Sequence, residues 1–100
     1  MENRKSVRKL YETDVCVIYK DNFWHGTSRN IYVGGMFLES KSFPTIGAEI
    51  ILSFEICNSR ARIRSVVRWI GKTGFGVQFI DPSVQEVHNI NKLFKDGKGE

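Results

Sequence analysis

The sequence predicts an all-β domain with a terminal helix: a six-stranded antiparallel β-barrel followed by one C-terminal α-helix. Three observations lead there. From Asp14 to Phe79, apolar residues recur at alternate positions, which is the period of a strand with one buried face. Short clusters of Gly, Asn and Asp interrupt that alternation at intervals too small to hold crossover helices. At Asp81-Pro82 the period changes to that of a helix. Strands joined by such short turns leave unpaired edges unless the sheet closes, so a small barrel is the expected solution.

Each element has its own warrant. Asp14 to Lys20 sets Val15, Val17 and Tyr19 against more polar neighbours and reads as a first strand, ended by turn chemistry at Asp21-Asn22. A second strand runs from about Phe23 to Val33, and the Gly34-Gly35 pair turns it into a third, Met36 to Ser40. Lys41 to Gly47 is a loop. Ala48 to Cys57 alternates cleanly, with Ala48, Ile50, Leu52, Phe54 and Ile56 on one face. After a turn at Asn58-Ser59, the strand Arg60 to Ile70 places Ala61, Ile63, Ser65, Val67 and Trp69 on the inner side. Arg62, Arg64 and Arg68 then lie on the outer side. A Gly71-Lys72-Thr73-Gly74 turn leads to Phe75, Val77 and Phe79, the inward set of the last strand. Val84, Val87, Ile90, Leu93 and Phe94 then recur at helical spacing. Asp81 is placed to cap that helix, Pro82 suits its first position, and Gly97 is a natural stop. The apolar stripe is expected to pack on the sheet or to plug one end of it.

One hundred residues suit a single domain with one core, and 41% hydrophobic content suffices to build it without staples. The division expected is a mobile basic N-terminal arm over residues 1–12 and a barrel with its helix over residues 13–97. No apolar run reaches the roughly 20 residues of a membrane helix, and no signal-peptide core follows the charged N-terminus. A cytoplasmic location without membrane insertion is therefore expected. Cys16 and Cys57 stand alone and His25 and His88 are scattered, so neither a disulfide framework nor a metal site is expected.

Catalytic chemistry is thin. There is no nucleophile elbow and no Walker motif, since Gly71-Lys72-Thr73 lacks the preceding glycine and leads into a strand. An enzyme is not expected, and neither is a cofactor. The net charge of +4 and the pI near 9.3 favour anionic partners.

Two stretches suit such a partner. The arm carries Arg4 and Arg8 at a spacing that lets both guanidinium groups close on one ligand. A guanidinium fork matches a phosphate, or the O6/N7 edge of guanine, through two parallel hydrogen bonds. Between Ser28 and Ser40, Asn30, Tyr32 and Gly34 project from one strand face while Ile31 and Val33 project from the other. An Asn side chain offers both a donor and an acceptor to a base edge, and the adjacent glycines leave room for a bulky ligand.

With these residues in view, the chain resembles a PilZ domain, a family of small barrels that serve as cyclic di-GMP receptors in bacteria. The family pairs an N-terminal RxxxR with a downstream [D/N]xSxxG. Arg4-Lys5-Ser6-Val7-Arg8 matches the first motif, and Asn30-Ile31-Tyr32-Val33-Gly34-Gly35 matches the second at its first and last positions. Gly34 to Leu38 resembles the family's third strand. Val66 to Trp69, continued by Gly74 to Phe79, resembles its last hairpin. The resemblance implies a non-enzymatic second-messenger receptor with cyclic di-GMP as its ligand. Arg4 and Arg8 would clamp guanine edges and phosphates, Asn30 would read a guanine edge, Tyr32 would face the ligand, and Gly35 would permit close approach. Arg68 is a secondary candidate. Ordering of the arm on binding would be read by an unidentified downstream protein.

The chain departs from the pattern at Tyr32, where the family has serine. A phenol there can stack on a base or fill the space the ligand needs. The alternative reading follows: a degenerate PilZ domain acting as a protein–protein interaction module without nucleotide binding, with Phe23-Trp24 or the terminal helix as its contact surface. A third reading, a nucleic-acid-binding barrel using Arg62, Arg64 and Arg68, is disfavoured because no aromatic stacking platform is evident beside them.

Overall fold

The alternation builds the wall of a closed barrel. The structure is a computed structural model that describes the backbone of residues 9–96 and the side chains of residues 10–94. A two-residue strand β1 (Lys9–Leu10) precedes β2 (Asp14–Tyr19), β3 (Asn22–Tyr32), β4 (Gly35–Glu39), β5 (Glu49–Ile56), β6 (Ser59–Ile70) and β7 (Gly74–Phe79), and the helix α1 (Val84–Asp96) ends the chain. The strands follow the order β3-β2-β5-β6-β7-β4, and β4 pairs back onto β3. That last pairing closes six antiparallel strands into a barrel, the fold expected from the sequence.

Every inner position of β5 read from the alternation is inside: Ile50, Leu52, Phe54 and Ile56 are buried and Ala48 packs against them. Val15 and Val17 from β2 and Phe75, Val77 and Phe79 from β7 complete the lining with the inward residues of β3, β4 and β6. The adjacent Phe23 and Trp24 divide as period 2 requires. Phe23 is 70% exposed, while Trp24 packs against the core and its indole N–H donates to Ser40 Oγ at 2.8 Å.

The turns sit one residue earlier than the sequence suggested. Tyr19 pairs with Asn22 and Ile56 with Ser59, so Lys20-Asp21 and Cys57-Asn58 are the two-residue loops. Cys57 and Asn58 both adopt positive φ, 52° and 62°. This is the geometry that matches the twist of a hairpin. Both cysteines are free and partly buried.

The helix closes one end of the barrel. Ile90 is 1% exposed and joins the core, with Leu93 and Phe94 packed beside it. Its cap is not the expected Asp81. Ser83 Oγ accepts from the Glu86 N–H at 3.1 Å, and the Glu86 carboxylate accepts from the Ser83 N–H at 2.9 Å. This is a capping box, S-x-x-E, which satisfies two otherwise orphaned donors. Asp81 instead takes φ 46° in the turn before it, and Pro82 precedes the cap. Gly97, the expected stop, lies outside the described residues.

The end of the N-terminal segment belongs to the sheet. Lys9 and Leu10 pair with Ile31 and Asn30 of β3. The Tyr11 hydroxyl donates to the Glu55 carbonyl at 2.7 Å, fastening this segment across to β5. Burial, with Cys57 and Glu55 nearby, holds the Tyr11 phenol above its ordinary value of 10.0. A raised folded-state value means that the neutral phenol's contribution is intact below about pH 10 and is lost as pH rises through the folded value. Tyr11→Phe is expected to cost about 1 kcal/mol at neutral pH. It should also lose less stability than the natural chain on going to about pH 10.5, because no phenol remains to ionise. Urea unfolding at the two pH values checks both statements.

Candidate functional site

The Ser28–Gly35 stretch is shaped by a bulge. The register of β3 against β4 shifts between Ser28 and Asn30, so Arg29 is the extra residue. Ser28 and Ile31 both turn inward and are fully buried. The Ser28 hydroxyl fills the gap between β1 and β2. It accepts from the Thr13 N–H at 3.0 Å and donates to the Tyr11 carbonyl. Arg29 turns outward, where it ion-pairs with Glu12 and lies 3.7 Å from Glu39. Asn30 also faces outward, and its Oδ1 is buried with no hydrogen-bond partner among the described residues. An unpaired buried acceptor costs about 1–3 kcal/mol, so this atom is a standing demand for a donor.

The surroundings of Asn30 come from strands that are distant in sequence. Asn30 lies opposite Phe37, Phe37 opposite Gly76, and Gly76 opposite Trp69. A second bulge, between Val67 and Trp69, turns Trp69 out of the barrel. Trp69 was expected on the inner side; it is 44% exposed and stacks on Phe37 with ring centroids 5.1 Å apart and planes 4° from parallel. The indole lies over Gly76, where an added Cβ would come within 2.5 Å of its Nε1. Beside this row, Tyr32 lies opposite Gly35 and Gly35 opposite Gln78. The Arg68 Nε–H donates to Gln78 Oε1 at 2.8 Å. The Tyr32 ring rests against Gly34.

Gly35 is needed for a reason the sequence did not suggest. A Cβ there would stand 2.1 Å from the Val77 carbonyl oxygen. The missing side chain lets β4 approach β7, whereas the sequence reading assigned that space to a ligand.

Of the five candidate residues, the structure brings Asn30, Tyr32 and Gly35 together on one outer face. Arg4 and Arg8 lie outside the described residues. The register nonetheless places Lys9 opposite Ile31, so the arm joins the barrel beside Asn30. Three other residues share this face and were not singled out as site residues: Phe37, Trp69 and Gln78. Gly76 at an outward position was the available signal, since a strand glycine marks something lying across it.

The arginines of β6 show a different pattern. Arg64 Nε pairs with Glu49 at 2.9 Å, and Arg60 lies 3.7 Å from Glu55 across the β5–β6 ladder. Such cross-strand pairs describe a solvated face. Among the described residues no group of three or more His, Cys, Asp or Glu residues is placed to hold a metal ion. None of their helices is long and apolar enough to cross a membrane. A groove of about 530 Å³ lies at the other end of β3, between Trp24–Thr27 and Glu39–Ser42.

A closed six-stranded antiparallel barrel with a helix at one end is the architecture on which an outward Asn and a preceding RxxxR are carried here. The sequence matches the PilZ domain family over residues 2–96, and the chain belongs to that family. The Bacillus subtilis inhibitor of motility, MotI/DgrA, superposes with a TM-score of 0.83 at 15% identity, covering 100% of this chain and 54% of that one. PlzA of Borreliella burgdorferi, solved in complex with c-di-GMP, gives 0.77 at 13% identity over 93% of this chain and 41% of its own. The K. pneumonia MrkH–c-di-GMP complex gives 0.74 at 16% identity, over 96% and 52%. At these identities the likeness is one of fold, and the chain spans about half the length of MotI/DgrA. No curated protein matches the sequence.

Proposed function

We propose that this domain is a non-enzymatic cytoplasmic receptor for cyclic di-GMP that signals through ordering of its N-terminal arm. Arg4 and Arg8 clamp guanine edges and phosphates, Asn30 reads a guanine edge, Tyr32 faces the ligand, and Gly35, by letting β4 lie against β7, keeps that face open to close approach. The observation that carries the reading is the register of β1. With Lys9 opposite Ile31 and Leu10 opposite Asn30, the RxxxR immediately precedes the edge of the Asn30–Gly35 stretch. The unpaired Asn30 Oδ1 supports it, because a guanine N–H would supply the missing donor. Family membership, and two neighbours solved with c-di-GMP, support this ligand class. A bound ligand holding both arginines would order the arm, and a downstream protein would read the result.

Titration calorimetry of the purified chain with cyclic di-GMP tests this. Saturable heat is expected; no heat at high micromolar ligand would remove the proposal.

A second reading is favoured by Tyr32, whose ring occupies the face beside Gly34 where the family has serine. On that reading the domain binds a protein and no nucleotide. Tyr32→Ser separates the two. The receptor reading expects binding in both proteins, differing by roughly five- to a hundredfold, the range of one stacking contact of about 1–3 kcal/mol. Binding that appears only in Tyr32→Ser would favour the interaction module.

A further inference from the structure

The groove at the far end of β3 has the makings of a strand-docking site. β3 pairs with β2 from Asn22 to Thr27, but β4 takes up its other side only from Thr27 onward. Asn22 to Gly26 is therefore paired on one side. The two-residue turn at Lys20-Asp21 fixes the alternation: Asn22, Trp24 and Gly26 direct their main-chain groups toward β2. The Ser28 N–H, donating to the Thr13 carbonyl at 2.9 Å, continues the same parity. Phe23 and His25 thus present their N–H and C=O groups to the groove.

Natural edges are usually guarded by Lys, Pro or a bulge. Asn22 to Gly26 contains neither residue, and the β3 bulge lies beyond it at Arg29. Across the groove the chain turns away at Ser40–Ser42, where the Ser40 hydroxyl donates to the Ser42 carbonyl at 2.6 Å. Phe23 is 70% exposed at one end of the edge. At the rim, Glu39 lies 3.7 Å from Arg29, His25 pairs with Asp14 at 2.9 Å, and Lys41 adds a positive charge.

We propose that this edge binds an extended acidic segment of a partner protein as an added strand. Main-chain hydrogen bonds to Phe23 and His25 supply the pairing, an apolar side chain covers Phe23, and a carboxylate meets Lys41. The site is separate from the Asn30 face, lies at the opposite end of the same strand, and does not depend on nucleotide binding.

The test uses the full chain, labelled with ¹⁵N, and blocked seven-residue peptides of alternating Val and Thr with Glu or Lys at the centre. The Glu peptide should shift the amides of Phe23, His25 and Ser40–Ser42 saturably. His25→Pro removes an N–H from the open edge while leaving the β2 ladder whole, and should abolish those shifts in a folded protein. Lys41→Glu, a loop substitution outside every ladder, should weaken the Glu peptide roughly two- to fivefold and favour the Lys peptide. No saturable shift with either peptide, or shifts confined to other strands, would overturn the proposal. So would concentration-dependent shifts of the edge amides in the chain alone, which would assign the edge to a second copy.

Discussion

Arg8→Ala is expected to weaken cyclic di-GMP binding by roughly ten- to a hundredfold, and Arg4→Ala by a similar factor. The basis is the charge-assisted hydrogen bond, worth about 1.5–3 kcal/mol. Arg8→Lys should recover little of the loss. An ammonium supplies a point charge without the planar fork that engages two acceptors at once. Both arginines lie outside the described residues, and thermal unfolding of each variant separates a loss of binding from a loss of fold. Calorimetric titration of the three variants reads the effect. Unchanged affinity in Arg4→Ala and Arg8→Ala would remove the arm from the ligand site even if the barrel itself bound nucleotide.

Phe54→Ala is the substitution expected to cost most in stability. Phe54 is fully buried on β5, with Val15 opposite it on β2 and Ala61 opposite it on β6. Ala61 is small and the flanking strands are locked by their ladders, so little can collapse into the vacated space. A loss of about 3–5 kcal/mol follows for Phe→Ala in such a site. For a domain of this size that lowers the midpoint by roughly 12 °C or more. Since small domains retain only about 5–15 kcal/mol in total, a loss at the upper end would unfold much of the population at physiological temperature. Calorimetric or urea unfolding measures it. A loss below about 1 kcal/mol would mean that the core around Phe54 is far looser than its burial implies.

The parts of the fold legible in the sequence were those fixed by local periodicity. Along β5 every second residue is apolar, and every one of them is inside. The helix was recognisable because Ile90, Leu93 and Phe94 keep one stripe. What period 2 cannot register is a single extra residue. The bulge near Arg68 leaves the pattern Val67-Arg68-Trp69 looking regular, yet it reverses the face of Trp69. The bulge at Arg29 likewise sends both Ser28 and Ile31 inward. Such bulges are set by how neighbouring strands close the barrel, which is a tertiary condition.

The candidate face was legible in its chemistry but not in its company. Asn30 and Tyr32 could be placed on one side of β3 from sequence position alone. That Phe37 and Trp69 stand in the same row depends on the β3–β4, β4–β7 and β6–β7 registers, which no local pattern encodes. The roles of two glycines were also hidden. Gly35 makes way for the Val77 carbonyl and Gly76 for the Trp69 indole. The Ser83 cap was missed for a simpler reason: Asp81-Pro82 gave an equally good start signal two residues earlier.

The most direct test of the receptor account is a ¹⁵N–¹H titration of the whole chain with cyclic di-GMP, followed at the Asn30 side-chain amide and the Nε–H groups of Arg4 and Arg8. The account predicts that all three move together and saturate at one ligand concentration, with amides from Tyr32 to Gly35 shifting alongside them. No movement at high micromolar ligand, or shifts that leave Asn30 and both arginines in place, would contradict it.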